Sequence, residues 1–292
     1  SPVGAVGPSS INCSGGTTSA TVTASGGTPG YTYLWNPTAQ TTTTATGLPA
    51  NNYTVIVTDA NSCTQTTTFV IVQPPLLVSS IISFTNLSCF GGSNGTATVS
   101  ASGGTPGYNY SWVPIGGNGP TGVGLSAGTY TVNITDALGC TESSTVNITQ
   151  PASALTATGV SASVSCFGGS NGSIIVTPAG GTPGYSYVWN PAVSSGPSAA
   201  GLTTGNYSIL VSDANGCQAN VAITVSQPAA AVSISLTVVN PACGLSTGSI
   251  SSQVSGGTGP YSYLWSSGAS TTPGISGLSP GNYTVQVTDF SS

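Results

Sequence analysis

The chain has 292 residues with no Lys, Arg or His, only 5 acidic residues, and a formal net charge of −5. With no cation to neutralise phosphate, nucleic-acid binding and a polybasic membrane anchor are excluded. With no imidazole, so are a Ser-His-Asp triad and a histidine metal site.

An apolar fraction of 38% sets the chain apart from the low-hydrophobicity, high-charge signature of disorder. No run of about 18 apolar residues offers a spanning helix, so no membrane insertion is expected. No initiating Met and no signal peptide open the chain, which predicts a mature or internal segment of a longer protein.

Four tandem units organise the sequence. Trp recurs at Trp35, Trp112, Trp189 and Trp265, and Asp at Asp59, Asp136, Asp213 and Asp289, with spacings of 77, 77 and 76 in both sets. Gly-Gly-Thr recurs at 26–28, 103–105, 180–182 and 256–258, and Gln-Pro at 73–74, 150–151 and 227–228. The expected units are 1–75, 76–152, 153–229 and 230–292, the first truncated at its N-terminal side and the last at its C-terminal side. A unit of this length can hold its own small core and is too long for a solenoid turn.

Taken in chain order, the second unit shows a period of two, the mark of strands. Thr96 to Ala101 predicts a strand. Gly103 to Gly107, with its glycines and Pro106, predicts a turn. Tyr108, Tyr110 and Trp112 then alternate with polar neighbours, followed by a Gly-rich stretch with one or two short strands. Leu125 to Gly128 turns the chain, and Tyr130, Val132 and Ile134 form the next strand. Asp136 to Gly139 has Asp first and Gly fourth, as in a type I turn. Thr145 to Thr149 predicts the closing strand. The fourth unit opens on Val232, Ile234, Leu236 and Val238 at the same alternation. Six or seven short strands per unit and no helix predict an all-β chain, a tandem array of four small immunoglobulin-like β-sandwiches.

The second unit carries, in this order, Cys-Phe-Gly-Gly-Ser-Asn-Gly (89–95), Gly-Gly-Thr-Pro-Gly-Tyr (103–108), Tyr-x-Tyr-x-Trp (108–112), Leu-x-x-Gly-x-Tyr-x-Val (125–132) and Thr-Asp-Ala-x-Gly-Cys (135–140), and the other units follow it with departures. This set resembles the SprB-type repeats of large surface adhesins from gliding Bacteroidetes. It is similar, more distantly, to polycystic-kidney-disease-type sandwich domains. The resemblance implies type IX secretion, an extracellular cell-surface filament, and roles in adhesion and gliding motility. The first unit departs at Cys13 to Thr18, which lacks the Ser-Asn-Gly. The fourth has Cys243-Gly244-Leu245 and no closing Cys.

Seven cysteines stand at Cys13, Cys63, Cys89, Cys140, Cys166, Cys217 and Cys243. No Cys-x-x-Cys is present for thiolate zinc, and no base or cation is encoded to activate a thiol. Disulfides are expected, and with them an oxidising setting. Two connectivities are open. In a seven-strand sandwich the two cysteines of a unit could lie at opposite poles and bridge successive units; a six-strand unit would bring them together. Two cysteines in every complete unit favour Cys13–Cys63, Cys89–Cys140 and Cys166–Cys217, each loop of about 50 residues stabilising by roughly 4 kcal/mol, with Cys243 unpaired.

The four Trp are expected in the cores, together with Tyr53, Tyr130, Tyr207 and Tyr283, whose Leu-x-x-Gly-x-Tyr setting, with Asn51 in place of the Gly before Tyr53, resembles a tyrosine corner. A Trp exposed in every unit would instead favour a carbohydrate-stacking platform. One Asp per unit is too few for calcium, so turn capping is the expected role. No cofactor, metal or catalytic residue is expected, because no general base is available near neutral pH. The expected function is a non-enzymatic adhesin stalk or filament segment. Self-association into a fibre is favoured by edges without Lys and a nearly uncharged surface. A carbohydrate-binding module array is the alternative, with surface glycans as ligands.

Overall fold

The computed structural model describes every residue except Pro8, Ala269 and Ser292, so the last residue of the fourth expected unit lies outside the described set. Among the described residues there are strands and no helix. The first repeat contributes β1 (Val3–Val6), β2 (Thr18–Ser25), β3 (Thr32–Asn36), β4 (Thr44–Leu48), β5 (Asn51–Thr58) and β6 (Thr64–Ile71). The second contributes β7 (Val78–Thr85), β8 (Gly95–Ser102), β9 (Asn109–Val113), β10 (Thr121–Leu125), β11 (Gly128–Thr135) and β12 (Thr141–Ile148). The third contributes β13 (Thr156–Ala162), β14 (Gly172–Ala179), β15 (Ser186–Asn190), β16 (Ser198–Leu202), β17 (Gly205–Ser212) and β18 (Gln218–Val225). The fourth contributes β19 (Ser233–Val239), β20 (Gly248–Ser255), β21 (Ser262–Trp265), β22 (Gly274–Leu278) and β23 (Val285–Thr288). The chain divides into two compact units, Ser1–Leu87 with Gly91–Gln150, and Ser88–Phe90 with Pro151–Ser292.

Each of the first three repeats pairs its strands as two antiparallel three-stranded sheets. In the second, the sheets are β7-β8-β10 and β9-β11-β12. This is the strand order of an immunoglobulin-like sandwich with one edge strand missing. The closing strand begins at Thr141, four residues before the expected Thr145, because Thr141 to Thr145 are exposed or half-buried and their ladder with β11 carries no apolar alternation to read. In the fourth repeat β21 and β23 form a two-stranded sheet among the described residues.

The period-two pattern becomes burial because successive side chains point to opposite faces. Tyr130, Val132 and Ile134 of β11 are buried and face the core with Trp112, Val99 and Ile148. The other repeats repeat this set around Trp35, Trp189 and Trp265. No Trp is more than 5% exposed. A buried indole needs an acceptor, and each Nε1–H donates to a carbonyl seven residues on: Thr42, Gly119, Gly196 and Thr272, at 2.7–3.0 Å. The tyrosine corners also form. Tyr53, Tyr207 and Tyr283 donate to the carbonyls of Pro49, Thr203 and Ser279, while the Tyr130 oxygen accepts from the Ser126 amide. Tyr283 is only half-buried against the smaller fourth core.

These cores predict a specific fragility. Trp112→Ala removes the largest side chain of the second core and its hydrogen bond, and should cost about 3–5 kcal/mol. Denaturant unfolding should show part of the chain melting at lower concentration, while Leu138→Ala, at an exposed turn position, should leave the curve nearly unmoved.

Candidate functional site: the cysteine-bearing poles

The cysteines lie at the two ends of each sandwich. In the second repeat, loop 86–94 joins β7 to β8 at one pole, where Gly95 pairs with Leu125. The turn 136–140 joins β11 to β12 at the other, beside the Gly103–Gly107 loop. The eight residues of β8 separate these poles by roughly 26 Å at ~3.3 Å each. A disulfide requires Cα atoms within about 7 Å.

The expected bridges within repeats therefore do not form. Cys13 of the first repeat is bonded to Cys140 of the second, and Cys89 of the second to Cys217 of the third, with Cα–Cα distances of 5.6 and 5.7 Å. Cys63, Cys166 and Cys243 are free and exposed. The six-strand count is correct, but losing an edge strand does not change which pole each connection occupies. On the chain-entropy model a loop of about 128 residues contributes about 5 kcal/mol, and this now couples two repeats rather than stapling one.

Each pole is built to hold its cysteine in place. At the turn, one buried carboxylate organises the backbone. Asp136 Oδ1 accepts the amides of Leu138 and Cys140 (2.9 and 2.8 Å), and Oδ2 accepts the amide of Thr105 in the neighbouring loop (2.8 Å). Asp59 and Asp213 do the same with Asn61, Cys63 and Thr28, and with Asn215, Cys217 and Thr182. Asp289 accepts from Thr258. A Cβ on Gly104, at φ 59°, would meet Asp136 Oδ2 at 2.5 Å, so glycine is what lets the carboxylate approach. The amides hold these carboxyls below the ordinary range. Thr28 acts first for Asp59, Thr105 for Asp136 and Thr182 for Asp213, against the opposing effect of burial.

At the other pole the Gln of Gln-Pro does the holding, a role that sequence reading missed. Gln73, Gln150 and Gln227 place Oε1 on the amides of Gly15, Gly91 and Gly168, at 2.8–2.9 Å. These glycines follow Cys13, Cys89 and Cys166 by two residues. The signal was present: a linker needs only the Pro, yet Gln precedes it three times.

Where a loop meets a turn, polar contacts accompany the bond. Asn215 Nδ2 donates to the Ser88 carbonyl (3.0 Å) and to Thr182 Oγ1 (2.9 Å). The bonded sulfurs of Cys140 and Cys217 carry no proton and lie 3.2 and 3.4 Å from the carbonyl oxygens of Asn12 and Ser88. Cys13 packs on the second core.

Among the described residues no three Cys, Asp or Glu side chains gather in one place. The carboxylates take backbone amides as their partners, as expected for turn caps. No Trp or Tyr is exposed; the exposed aromatics are Phe84, Phe90, Phe167 and Phe290.

Comparison with known proteins returned one family model, the SprB repeat, matching residues 6–40, 81–117, 158–194 and 235–270. These spans end just past each Trp, so the tyrosine corner, the Asp turn and its cysteine lie beyond them. Among curated proteins none matches in sequence. Similar solved structures include three N-terminal domains of the outer capsid protein Hoc of bacteriophage RB49 (14% identity, 78% of this chain, 99% of that one, TM-score 0.34). They also include the surface layer protein SbsC, domains 1–6 (14%, 98% and 52%, 0.29), and the N-terminal eight Ig domains of Down Syndrome Cell Adhesion Molecule (12%, 88% and 51%, 0.24). The fold assignment rests on the strand pairing above.

Two outcomes follow from the poles. Trypsin has no site in this chain, so disulfide mapping needs chymotrypsin; it should join Cys13 to Cys140 and Cys89 to Cys217, with Cys63, Cys166 and Cys243 alkylated without reduction. The second outcome concerns acid. A depressed carboxyl stabilises fully above its unfolded pKa of about 3.9, and this is lost as pH falls through the folded value. With no His, the melting temperature should be level between about pH 5 and 7 and fall below about pH 4. Asp136→Asn should lower it at pH 7 and flatten the acid limb.

Proposed function

This chain belongs to the SprB-repeat family, and on that premise we propose that it is a segment of a non-enzymatic cell-surface fibre serving adhesion. It is an extracellular repeat protein; the four matched repeats and the disulfides support that setting. We read the boundaries between repeats at 75/76, 152/153 and 229/230. The family resemblance extends the proposal to gliding motility and type IX secretion in Bacteroidetes.

The observation that carries the reading is the bonding of consecutive repeats. A binding module needs a stable site, and a bridge within each module would serve it. Bridges from Cys13 to Cys140 and from Cys89 to Cys217 instead transmit tension from one repeat to the next. Burial of all four Trp supports a spacer over a carbohydrate-stacking array.

Pulling single molecules tests this. From residue 13 to residue 217 the reduced chain extends by 217 − 13 = 204 residues, about 700 Å at ~3.5 Å each. With both bridges intact the shortest covalent path runs back from Cys140 to Cys89, 140 − 89 = 51 residues, about 180 Å. Equal extension in the two redox states would remove the load-carrying role. Antibody labelling of intact cells checks the location: signal only after permeabilisation would refute a surface fibre.

A further inference from the structure

The sheet bearing the corner tyrosine turns one face to the core and the other outward, and the outer face repeats one feature in every repeat. Residues two apart on a strand share a face. Asn52 and Thr54 flank the buried Tyr53, and Asn206 and Ser208 flank the buried Tyr207. Asn282 and Thr284 flank Tyr283 in the same way. The second repeat has Thr129 before its Tyr130, and there the neighbouring strand supplies the asparagine. Thr129 pairs with Asn147, and Asn147-Ile148-Thr149 again sets Asn and a hydroxyl on either side of a buried residue. The corresponding partners elsewhere, Val70 opposite Asn52 and Thr224 opposite Asn206, are not asparagine. Each repeat thus presents an Asn-x-Ser/Thr triplet beside its corner tyrosine, even where a different strand must provide it.

Ser and Thr are so frequent in this chain that the triplet alone means little; its placement and the state of the amides carry the inference. Asn52, Asn147, Asn206 and Asn282 are exposed, and among the described residues none of their Nδ2 atoms is hydrogen-bonded. Asn206 Oδ1 accepts the Thr224 hydroxyl at 2.7 Å, so the sheet engages the oxygen and not the nitrogen. Triplets in the cysteine-bearing loops differ. Asn171 Nδ2 donates to Ser165 Oγ (2.6 Å) while its Oδ1 accepts the Ser165 amide, and Asn86 Oδ1 accepts the Thr149 amide (2.9 Å). Beside Asn52 the outer face opens into a groove of about 570 Å³ lined by Asn36, Pro37, Thr68 and Val70. Beside Asn206 a groove of about 340 Å³ is lined by Asn190, Ser208 and Thr224. Leu34 and Val188 stand exposed on the same faces.

We propose that Asn52, Asn147, Asn206 and Asn282 are attachment sites for sugar, N-linked through these outward carboxamide nitrogens. The inference goes beyond the fibre reading and rests only on its extracellular setting. The donor is a sugar activated as a diphosphate, nucleotide- or lipid-linked, and a transferase of the producing cell delivers it. Nδ2 attacks the anomeric carbon. The bond from that carbon to the diphosphate oxygen breaks, the diphosphate leaves with the electron pair, and Nδ2 gives up one proton. The hydroxyl two residues on is the second half of the acceptor motif. An attached sugar lies over the grooves and over Leu34 and Val188, and it hydrates a surface on which 2% charged residues supply little repulsion.

The test purifies the full-length protein from the cells that produce it, digests it with chymotrypsin and reads the peptides by tandem mass spectrometry. Hexose or N-acetylhexosamine increments are expected on Asn52, Asn147, Asn206 and Asn282, with Asn86 and Asn171 bare. Thr54→Ala should remove the increment from Asn52 although the asparagine remains, and Thr54→Ser should keep it. Asn147→Gln should strip the sugar from that place in the second repeat. Adding Thr129→Asn, which completes an acceptor triplet with Thr131 across the ladder, should restore it. Bare asparagines at all four positions, equal occupancy at Asn86 and Asn171, or an increment on Asn52 that survives Thr54→Ala would overturn the proposal. Antibody labelling of the same cells separates this from the surface reading: a bare chain on intact cells discards the sugar alone, whereas a bare chain detected only after permeabilisation discards both.

Discussion

A protein without cationic side chains must bury a carboxylate among hydrogen-bond donors, and here the donors are backbone amides. Every repeat of this chain does so once. Removing an ionised group from water costs several kcal/mol unless hydrogen bonds replace the lost solvation. Asp59, Asp136 and Asp213 each gather three backbone N–H groups from two separate loops. That requirement pulls the Gly-Gly-Thr loop against the following turn. The turn in turn fixes the amide, and so the Cβ direction, of the cysteine four residues on. The placement of the bridges thus descends from a single side chain whose partners are all main chain.

This also explains how a chain with 2% charged residues keeps specific structure. Ion pairs are unavailable, so orientation comes from directional hydrogen bonds to backbone. Trp indoles, corner tyrosines, Gln side chains and Asp carboxylates each bind a main-chain group a fixed number of residues away. Such bonds are local in sequence or recur at the repeat spacing, so the same geometry returns wherever the motif does. Apolar burial supplies the bulk of the driving force, and these polar ties choose which of several packings is adopted.

Much of this was legible before the structure. Alternation in Tyr130-Val132-Ile134 shows the buried face directly, and one Trp per repeat at constant spacing reads as core. The corner at Leu125 to Tyr130 carries its own hydrogen-bond geometry. The cysteine partners were not legible, because spacing along the chain says nothing of the pole. Cys89 and Cys140 are 51 residues apart in sequence yet a full strand apart in space, while Cys13 and Cys140, 127 apart, touch. Gln150 was hidden differently. Beside Pro151 it looks like linker, and only the position of the Gly91 amide reveals what it holds.

The two disulfide loops overlap, since Cys89 lies inside the span from Cys13 to Cys140, and Cys140 inside the span from Cys89 to Cys217. Cut the main chain anywhere between residues 13 and 89, and the first bridge still joins the pieces. Between 140 and 217 the second does so, and between 89 and 140 both do. No single backbone break across these 204 residues severs the molecule. A strand outside the cell, beyond the reach of repair, thus tolerates a nick as a rope tolerates a broken yarn.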